Sequence, residues 1–363
     1  MSEFTQWMVD WMEDHLDKKF NLNELAVHMG YSPYYCSFRF HQATGMTIRS
    51  YVKNRRLFLS AADLKEEGRI IDIAIKYGYA SQEAYSRAFK NTFGVAPGEF
   101  RARDLPLQSM PGLKIVERKG TNALRNADNI TSAALPEKKT DYEDSEILNV
   151  LNGQDMYDEF SRKEMMGKSG YIPFNEAMCV NPTSTPLFDD HFIHLRASGH
   201  GVSTGDYHDK VVSHIRRIDL DKYKLIVLWF GEDMFCQMNM LTMLAYLEQI
   251  GFEGIVHHNS FRDDEFKVAQ YEVFLGSYYS IYRSLLVNQE FPKKALTPVM
   301  YQSARLYMEM SQADNRITDY ISRNNYLADD ELVRLLMHRF QTLGYGDLQY
   351  FKLIDEYRRQ HST

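Results

Sequence analysis

The 363-residue chain is poor in cysteine, with only Cys36, Cys179 and Cys236. They are scattered and form no CxxC pair, so neither a disulfide framework nor a zinc ribbon is indicated, and no metal is expected. No stretch approaches the roughly 18 apolar residues that a membrane helix needs. The opening MSEFTQWMVDWMEDHLD is acidic where a secretion signal would be basic. The expectation is therefore a cytoplasmic protein with no membrane partner. GxGxxG and GxxxxGK[ST] are both missing, which leaves nucleotide phosphate binding unsupported and no cofactor to expect. No Ser-His-Asp or Cys-His order rises above chance. Among the histidines only His191 and His194 share a helix face, and with Asp190 they make a weak metal set at most.

A 44% hydrophobic and 25% charged composition is that of an ordinary soluble protein, long enough for two or three domains. The net charge is -7, yet the stretch from His28 to Arg103 holds 12 Lys+Arg against 6 Asp+Glu. A basic segment inside an acidic chain is an electrostatic footprint for a nucleic acid.

That segment also repeats itself. SPYYCSFRFH at 32–41 returns 49 positions later as SQEAYSRAFK, matching at Ser32 and Ser81, Ser37 and Ser86, Phe40 and Phe89, and then Gly45 and Gly94. Each copy follows a Gly-Tyr pair, so one structural unit is used twice. Asn21 or Asn23 caps a short helix that ends at Gly30, and Ser32 caps a second that starts at Pro33. Two short helices around a tight glycine turn make a helix-turn-helix. Thr47 caps a longer helix running toward Gly68, and the pattern restarts at Ile70, breaks at Gly78 and resumes at Ser81. APGEFR closes the unit.

Helical spacing divides each second helix. In the later copy Tyr85, Ala88 and Phe89 face the core, while Glu83, Ser86, Arg87 and Lys90 face out. In the earlier copy Cys36, the Arg39 stem and Phe40 face in, and Tyr34, Ser37, Phe38 and His41 face out. An outward Phe between Tyr and His is unusual on a solvated face. Arg pairs with guanine and Gln with adenine, so Gln82 and Arg87 suit base edges, and Tyr34 and Phe38 suit thymine methyls.

NLNELAVHMGYS, RRLFLSAADL and RIIDIAIKYGYASQEAYSRAFKNTFGVAPGEFR together resemble the AraC/XylS type of bacterial transcription regulator, over residues 6 to 103. The resemblance implies two helix-turn-helix units held apart by a long helix and reading two successive major-groove faces. It implies base reading by Gln82, Glu83, Ser86 and Arg87, with Tyr34, Ser37 and Phe38 as counterparts. Phe38 stands where the family often has Arg. Thr47, Arg49, Lys53, Lys90 and Arg101 are the expected phosphate contacts. The family more often places this domain last, whereas here it comes first.

Residues 105–144 read as a linker, with a brief strand around Leu113, Ile115 and Val116. From Ser145 to about Gly167 the pattern reads as a helix. YIPFN, KLIVLWF and GIVHHNS read as strands, each followed by polar residues or a helix, which is α/β grammar. Ligands bind at strand ends in such sheets, so Asn175, Glu176, Glu232, Asp233, Gln237 and Asn239 form a candidate ligand site. The competing reading gives these residues capping and surface roles. YKLIVLWFGEDMFCQMNMLTMLAYL resembles an uncharacterised bacterial α/β domain, which implies a fold and no reaction.

The expected protein is an all-α double helix-turn-helix domain (1–104), a linker, and an α/β domain with a mainly parallel sheet and a helical tail (145–363). It is read as a DNA-binding regulator and not an enzyme. Double-stranded DNA is the expected partner. A small-molecule effector, RNA polymerase and a second copy held through the C-terminal domain are further candidates. The rival reading is a DNA-tethered enzyme using the strand-end carboxylates.

Overall fold

The computed structural model describes residues 2–18, 20–44, 46–66, 68–103, 105, 110, 112–113, 142–262 and 267–361. The chain forms two compact units, one from Met1–Asn122 with Leu296–Gln302, the other from Ala123–Ala295 with Ser303–Thr363. Among the described residues no helix is long and apolar enough to cross a membrane.

The first unit is helical throughout its described elements: α1 (Ser2–Glu13), α2 (Leu22–Met29), α3 (Pro33–Thr44), α4 (Ile48–Asp63), α5 (Ile70–Lys76), α6 (Gln82–Phe93) and α7 (Pro97–Ala102). Local chemistry sets most of these ends. The Asn21 side chain accepts the Asn23 amide at 3.0 Å, Thr47 that of Ser50 at 3.1 Å and Ser81 that of Ala84 at 3.2 Å. Each bond satisfies an amide that the first helical turn leaves orphaned. At the other end Gly30 adopts φ 72°, and its amide and that of Tyr31 close onto the Val27 and Ala26 carbonyls.

Two hydrophobic cores result. Met8, Val9, Met12, Leu25, Cys36, Phe40, Tyr51 and Val52 build the first, and Leu57, Ala61, Leu64, Tyr85, Phe89, Phe93 and Phe100 the second. Helix α4 contributes to both. The sequence reading assigned no helix to α1, although its Met8, Val9 and Met12 are almost wholly buried.

In the second unit a five-stranded sheet runs in the order β2-β1-β3-β4-β5. The strands are β1 (Ile147–Leu151), β2 (Gly170–Pro173), β3 (Leu225–Trp229), β4 (Ile255–Arg262) and β5 (Lys267–Glu272). The first three pairings are parallel, and β5 closes the edge antiparallel. The helix expected from 145 to 167 is corrected: Ile147–Leu151 is a strand, followed by α8 (Gln154–Arg162). All five residues of β1 are buried between β2 and β3, so the run lacks the alternation that marks a half-buried strand. Asn149 in its middle resembles a polar helix face, but its amide is satisfied inside by Ser169 Oγ at 2.8 Å and Trp229 Nε1 at 2.9 Å.

Ile147, Leu151, Leu225, Val227 and Trp229 pack with Met156 and Phe160 of α8. The remaining helices are α9 (Asp190–His200), α10 (Thr204–Tyr207), α11 (Ser213–Ile215), α12 (Met234–Gln249), α13 (Tyr278–Tyr282), α14 (Pro298–Met310), α15 (Arg316–Arg323), α16 (Asp329–Arg339) and α17 (Asp347–His361). The methionines of α12 are core: Met234, Met238, Met240 and Met243 are all buried. Ile115 and Val116 of the expected linker strand lie outside the described residues. Leu113 packs on the first core, and its amide donates to the Tyr51 hydroxyl at 3.2 Å.

Phe89 is fully buried among Tyr85, Phe93 and Phe100. Phe89→Ala is expected to cost about 3 to 5 kcal/mol and lower the melting temperature of the first unit. A melting curve superimposable on wild type would contradict this packing.

Candidate functional site

Helices α3 and α6 are built alike. On α6, Tyr85, Phe89 and Phe93 are buried, Gln82, Glu83, Arg87 and Lys90 are exposed, and Ser86 is half-buried. A hydrogen bond from Ser81, with a smaller contribution from Arg87 one turn away, holds the Glu83 carboxyl below its ordinary range. On α3, Cys36 and Phe40 are buried, Ser37 is half-buried, and His41 is exposed. Tyr34 is 81% and Phe38 51% exposed, high values for aromatic side chains.

The outward face of α3 borders an open concavity of about 450 Å³. Leu22 of α2 and the buried Ile48 of α4 line it together with Tyr34 and Phe38, and Ser37, His41, Thr47 and Arg49 supply its polar atoms. No comparable feature was legible on α3 in the sequence, because the walls come from three separate helices.

Thr47, Arg49, Lys53 and Lys90 are exposed. Arg101 differs. Its guanidinium donates to the Leu64 carbonyl through Nε and to the Gly68 carbonyl through Nη1, both at 2.8 Å, and Nη2 is buried without a partner among the described residues. It therefore staples the end of α4.

In the second unit the candidate ligand residues follow the carboxyl ends of the parallel strands. Chain order reverses between β1 and β3, since β2 lies on one side of β1 and β3 and β4 on the other. Asn239 is fully buried and satisfied: it donates to Asn152 Oδ1 at 3.0 Å and to the Glu176 carbonyl at 2.6 Å, and accepts the Met178 amide at 2.9 Å. Asp233 caps α12 by accepting the Cys236 amide at 2.9 Å. Glu232 accepts from Ser260 Oγ at 3.0 Å. The Asp233 cap is the structural role the sequence held open for it, whereas Asn239 is a buried bridge and not a surface residue.

Glu176 is buried against Arg196, itself fully buried, at 2.7 Å. His200 Nε2 lies 2.7 Å from the same oxygen, and the Tyr207 hydroxyl donates to the other. Burial pushes the Glu176 carboxyl up, but the Arg196 charge and the hydrogen bonds from His200 and Arg196 outweigh it and hold the group ionised. Arg196 also donates to the carbonyls of Ala177, Val180, Asn181 and Pro182, so it fixes the loop after β2. Sequence reasoning missed Arg196, His200 and Tyr207, because α9 and α10 carry no signal for an inward cation. It missed Asn152 because β1 was read as helix.

Two acceptors stand apart. Gln237 is fully buried and donates to the Gly231 carbonyl at 2.7 Å, while its Oε1 has no hydrogen-bond partner among the described residues. Asn175 donates to Gln154 at 2.9 Å and to the Lys210 carbonyl at 3.1 Å, and its Oδ1 is likewise buried and unpartnered among the described residues. Among the described residues no group of three or more His, Cys, Asp or Glu side chains is arranged to hold a metal ion.

The first unit thus has the architecture of a tandem helix-turn-helix protein. A model of the helix-turn-helix domain matches residues 25–103. The regulatory protein SoxS of Salmonella typhimurium is 35% identical over 102 residues, covering 28% of this chain and 95% of SoxS. The right origin-binding protein of Escherichia coli K12 is 39% identical over 92 residues, 25% of this chain and 32% of that protein. Among solved structures, the C-terminal domain of AraT, a response regulator from Geobacillus stearothermophilus, matches 29% of this chain and 88% of its own at 26% identity and TM-score 0.27. The chain belongs to the AraC-type helix-turn-helix regulators.

His258 on β4 offers a measurable electrostatic signature. Burial pushes its imidazole pKa down to about 4, and its Nε2 donates to the Phe230 carbonyl at 2.9 Å. The unfolded chain takes up that proton near pH 6.5 and the folded chain does not, so stability is expected to fall as pH drops from about 6.5 to 4, by roughly 3 kcal/mol. Denaturant unfolding across that range should show a smaller loss in His258→Gln than in wild type, and equal slopes would refute the assignment.

Proposed function

We propose that this protein is a transcription regulator that reads double-stranded DNA with α3 and α6 in two successive major-groove faces. The observation that carries the reading is the repeated geometry: each helix buries one face, Cys36 and Phe40 on α3 and Tyr85, Phe89 and Phe93 on α6, and exposes the opposite one, and α4 lies between them in the chain. Sixteen residues of α4 span about 24 Å, the right order for a spacer between grooves one turn, about 34 Å, apart. The names of the relatives, a regulatory protein and an origin-binding protein, support the same reading.

Gln82, Glu83, Ser86 and Arg87 are assigned to base edges in one groove, and Tyr34, Ser37 and Phe38 in the other. Thr47, Arg49, Lys53 and Lys90 are assigned to phosphates, where they add affinity without sequence information. Arg101 is left out of this set, since its guanidinium is engaged by the Leu64 and Gly68 carbonyls.

For the second unit we favour ligand sensing at the reversal between β1 and β3. Buried acceptors without partners are rare in folded proteins, and Gln237 Oε1 and Asn175 Oδ1 suit a ligand or water that donates hydrogen bonds. The catalytic alternative has less support, since Glu176 is neutralised by Arg196 and Asp233 caps a helix. Assembly with a second copy, or contact with RNA polymerase, is compatible with either role.

Arg87→Ala is expected to cost about 1 to 3 kcal/mol at the specific site and to relax one base position. Titration of wild type and variant on single-base-substituted duplexes measures both, and unchanged affinity with unchanged preference would sink the assignment. Inserting half a helical turn between the two contacted patches is expected to abolish specific binding and leave weak, salt-sensitive affinity. If footprinting shows one protected patch and the insertion is harmless, α3 is scaffolding only.

A further inference from the structure

We infer that the two reading helices use different chemistry, and that the α3 half-site is recognised through thymine 5-methyl groups seated in the concavity between α2, α3 and α4. This rests on the DNA-binding reading above and says what one half of that surface selects. The face of α6 is polar, with Gln82, Glu83 and Arg87 exposed, and can pair with the donors and acceptors of base edges. The face of α3 offers Tyr34 and Phe38, and behind them Leu22 and Ile48 line an open hollow.

A polar base edge placed there would lose its water and gain few hydrogen bonds, which is unfavourable. The thymine methyl is the one apolar group that unmodified base pairs display in the major groove. It gains from such a seat what any buried methyl gains. The surroundings agree with this occupant. Arg49 is at the concavity itself, and the exposed Lys53 follows one turn later on α4, so cations stand beside the apolar seat where phosphates flank a base edge. That pairing of cation and hollow matches the alternation of phosphate and thymine methyl along a major groove.

The operator is therefore asymmetric. Its α6 half is defined by hydrogen bonding and its α3 half by the positions of methyl groups, which also fixes the direction in which the protein lies on the DNA.

The test uses the full-length protein and a duplex that it selects from a randomised pool. Each thymine of that duplex is replaced in turn by deoxyuridine, which removes only the 5-methyl group. One or two replacements in the half-site footprinted by α3 are expected to weaken binding about 4-fold each, the effect of one lost methyl. Replacements in the α6 half should matter little. Phe38→Ala should bind the thymine and deoxyuridine duplexes equally, whereas Arg87→Ala should keep the thymine preference while losing affinity. Circular dichroism of Phe38→Ala checks that its helices persist, and Phe38→Leu, which keeps an apolar side chain, should retain part of the preference. If a duplex is selected but no deoxyuridine substitution changes affinity, or the preference survives in Phe38→Ala, the methyl-reading proposal falls and the DNA-binding reading stands. If no sequence is enriched at all, the DNA-binding reading falls and takes this proposal with it.

Discussion

Both hydrophobic cores of the first unit hang on one helix, α4. Ile48, Tyr51 and Val52 from its first half belong to the core beneath α3, and Leu57 and Ala61 from its second half, with Leu64 at its C-cap, belong to the core beneath α6. At the crossover sits Arg56, a nearly buried cation whose guanidinium donates to the Leu16 and Lys18 carbonyls. Burial draws its pKa down, yet an arginine does not discharge in a protein, so those carbonyl bonds are what make its position tolerable. Gly78 has φ 78°, and a side chain there would press on Arg56 Nη1 at 3.0 Å, so this turn needs glycine for its backbone and for room. On the next turn of α4, Ser60 receives the Tyr85 hydroxyl at 3.0 Å and ties α6 to the same helix.

What could be read from the sequence follows from how local each determinant is. Caps at Asn21, Thr47 and Ser81 and the glycine stops act within four residues, so they were visible in a single line of sequence. The division of α3 and α6 into inner and outer faces follows from helical spacing alone. The Arg101 staple was not legible, because its carbonyl partner lies 37 positions away in the chain. Helix α1 carries Phe4, Met8, Trp11 and Met12 at helical spacing beside its acidic residues, and these pack on the first core.

In the second unit the same limit takes another form. A strand buried on both faces has no period of its own, so ILNVL could not be told from helix until its neighbours were in place. That one misreading hid Asn152 at the strand end and with it the bridge through Asn239 to Glu176. The remaining candidates divide cleanly once their partners are known. Asp233 and Asn239 are spent on structure, Glu176 is bound into the Arg196 staple, and Gln237 and Asn175 each keep one buried oxygen without a partner among the described residues. A residue list from sequence could gather these groups near a sheet edge. Which of them are satisfied is a property of loops and helices far along the chain.

The two-core design of α4 also constrains how any signal could reach the DNA-reading surface. Changing the spacing between α3 and α6 would mean bending α4 between residues 52 and 57, where Val52, Arg56 and Leu57 are all buried. Such a bend would open packed contacts on both sides and strip Arg56 of its carbonyl partners, a large cost for a buried charge. A ligand can shift an equilibrium only by its differential affinity for the two states, commonly a few kcal/mol. That is too little to re-space the helices. If the second unit regulates the first, it does so by changing whether the rigid pair of helices is available to DNA as a whole. Its effect on binding is then uniform across operators, and on the proposed reading any base preference is left unchanged.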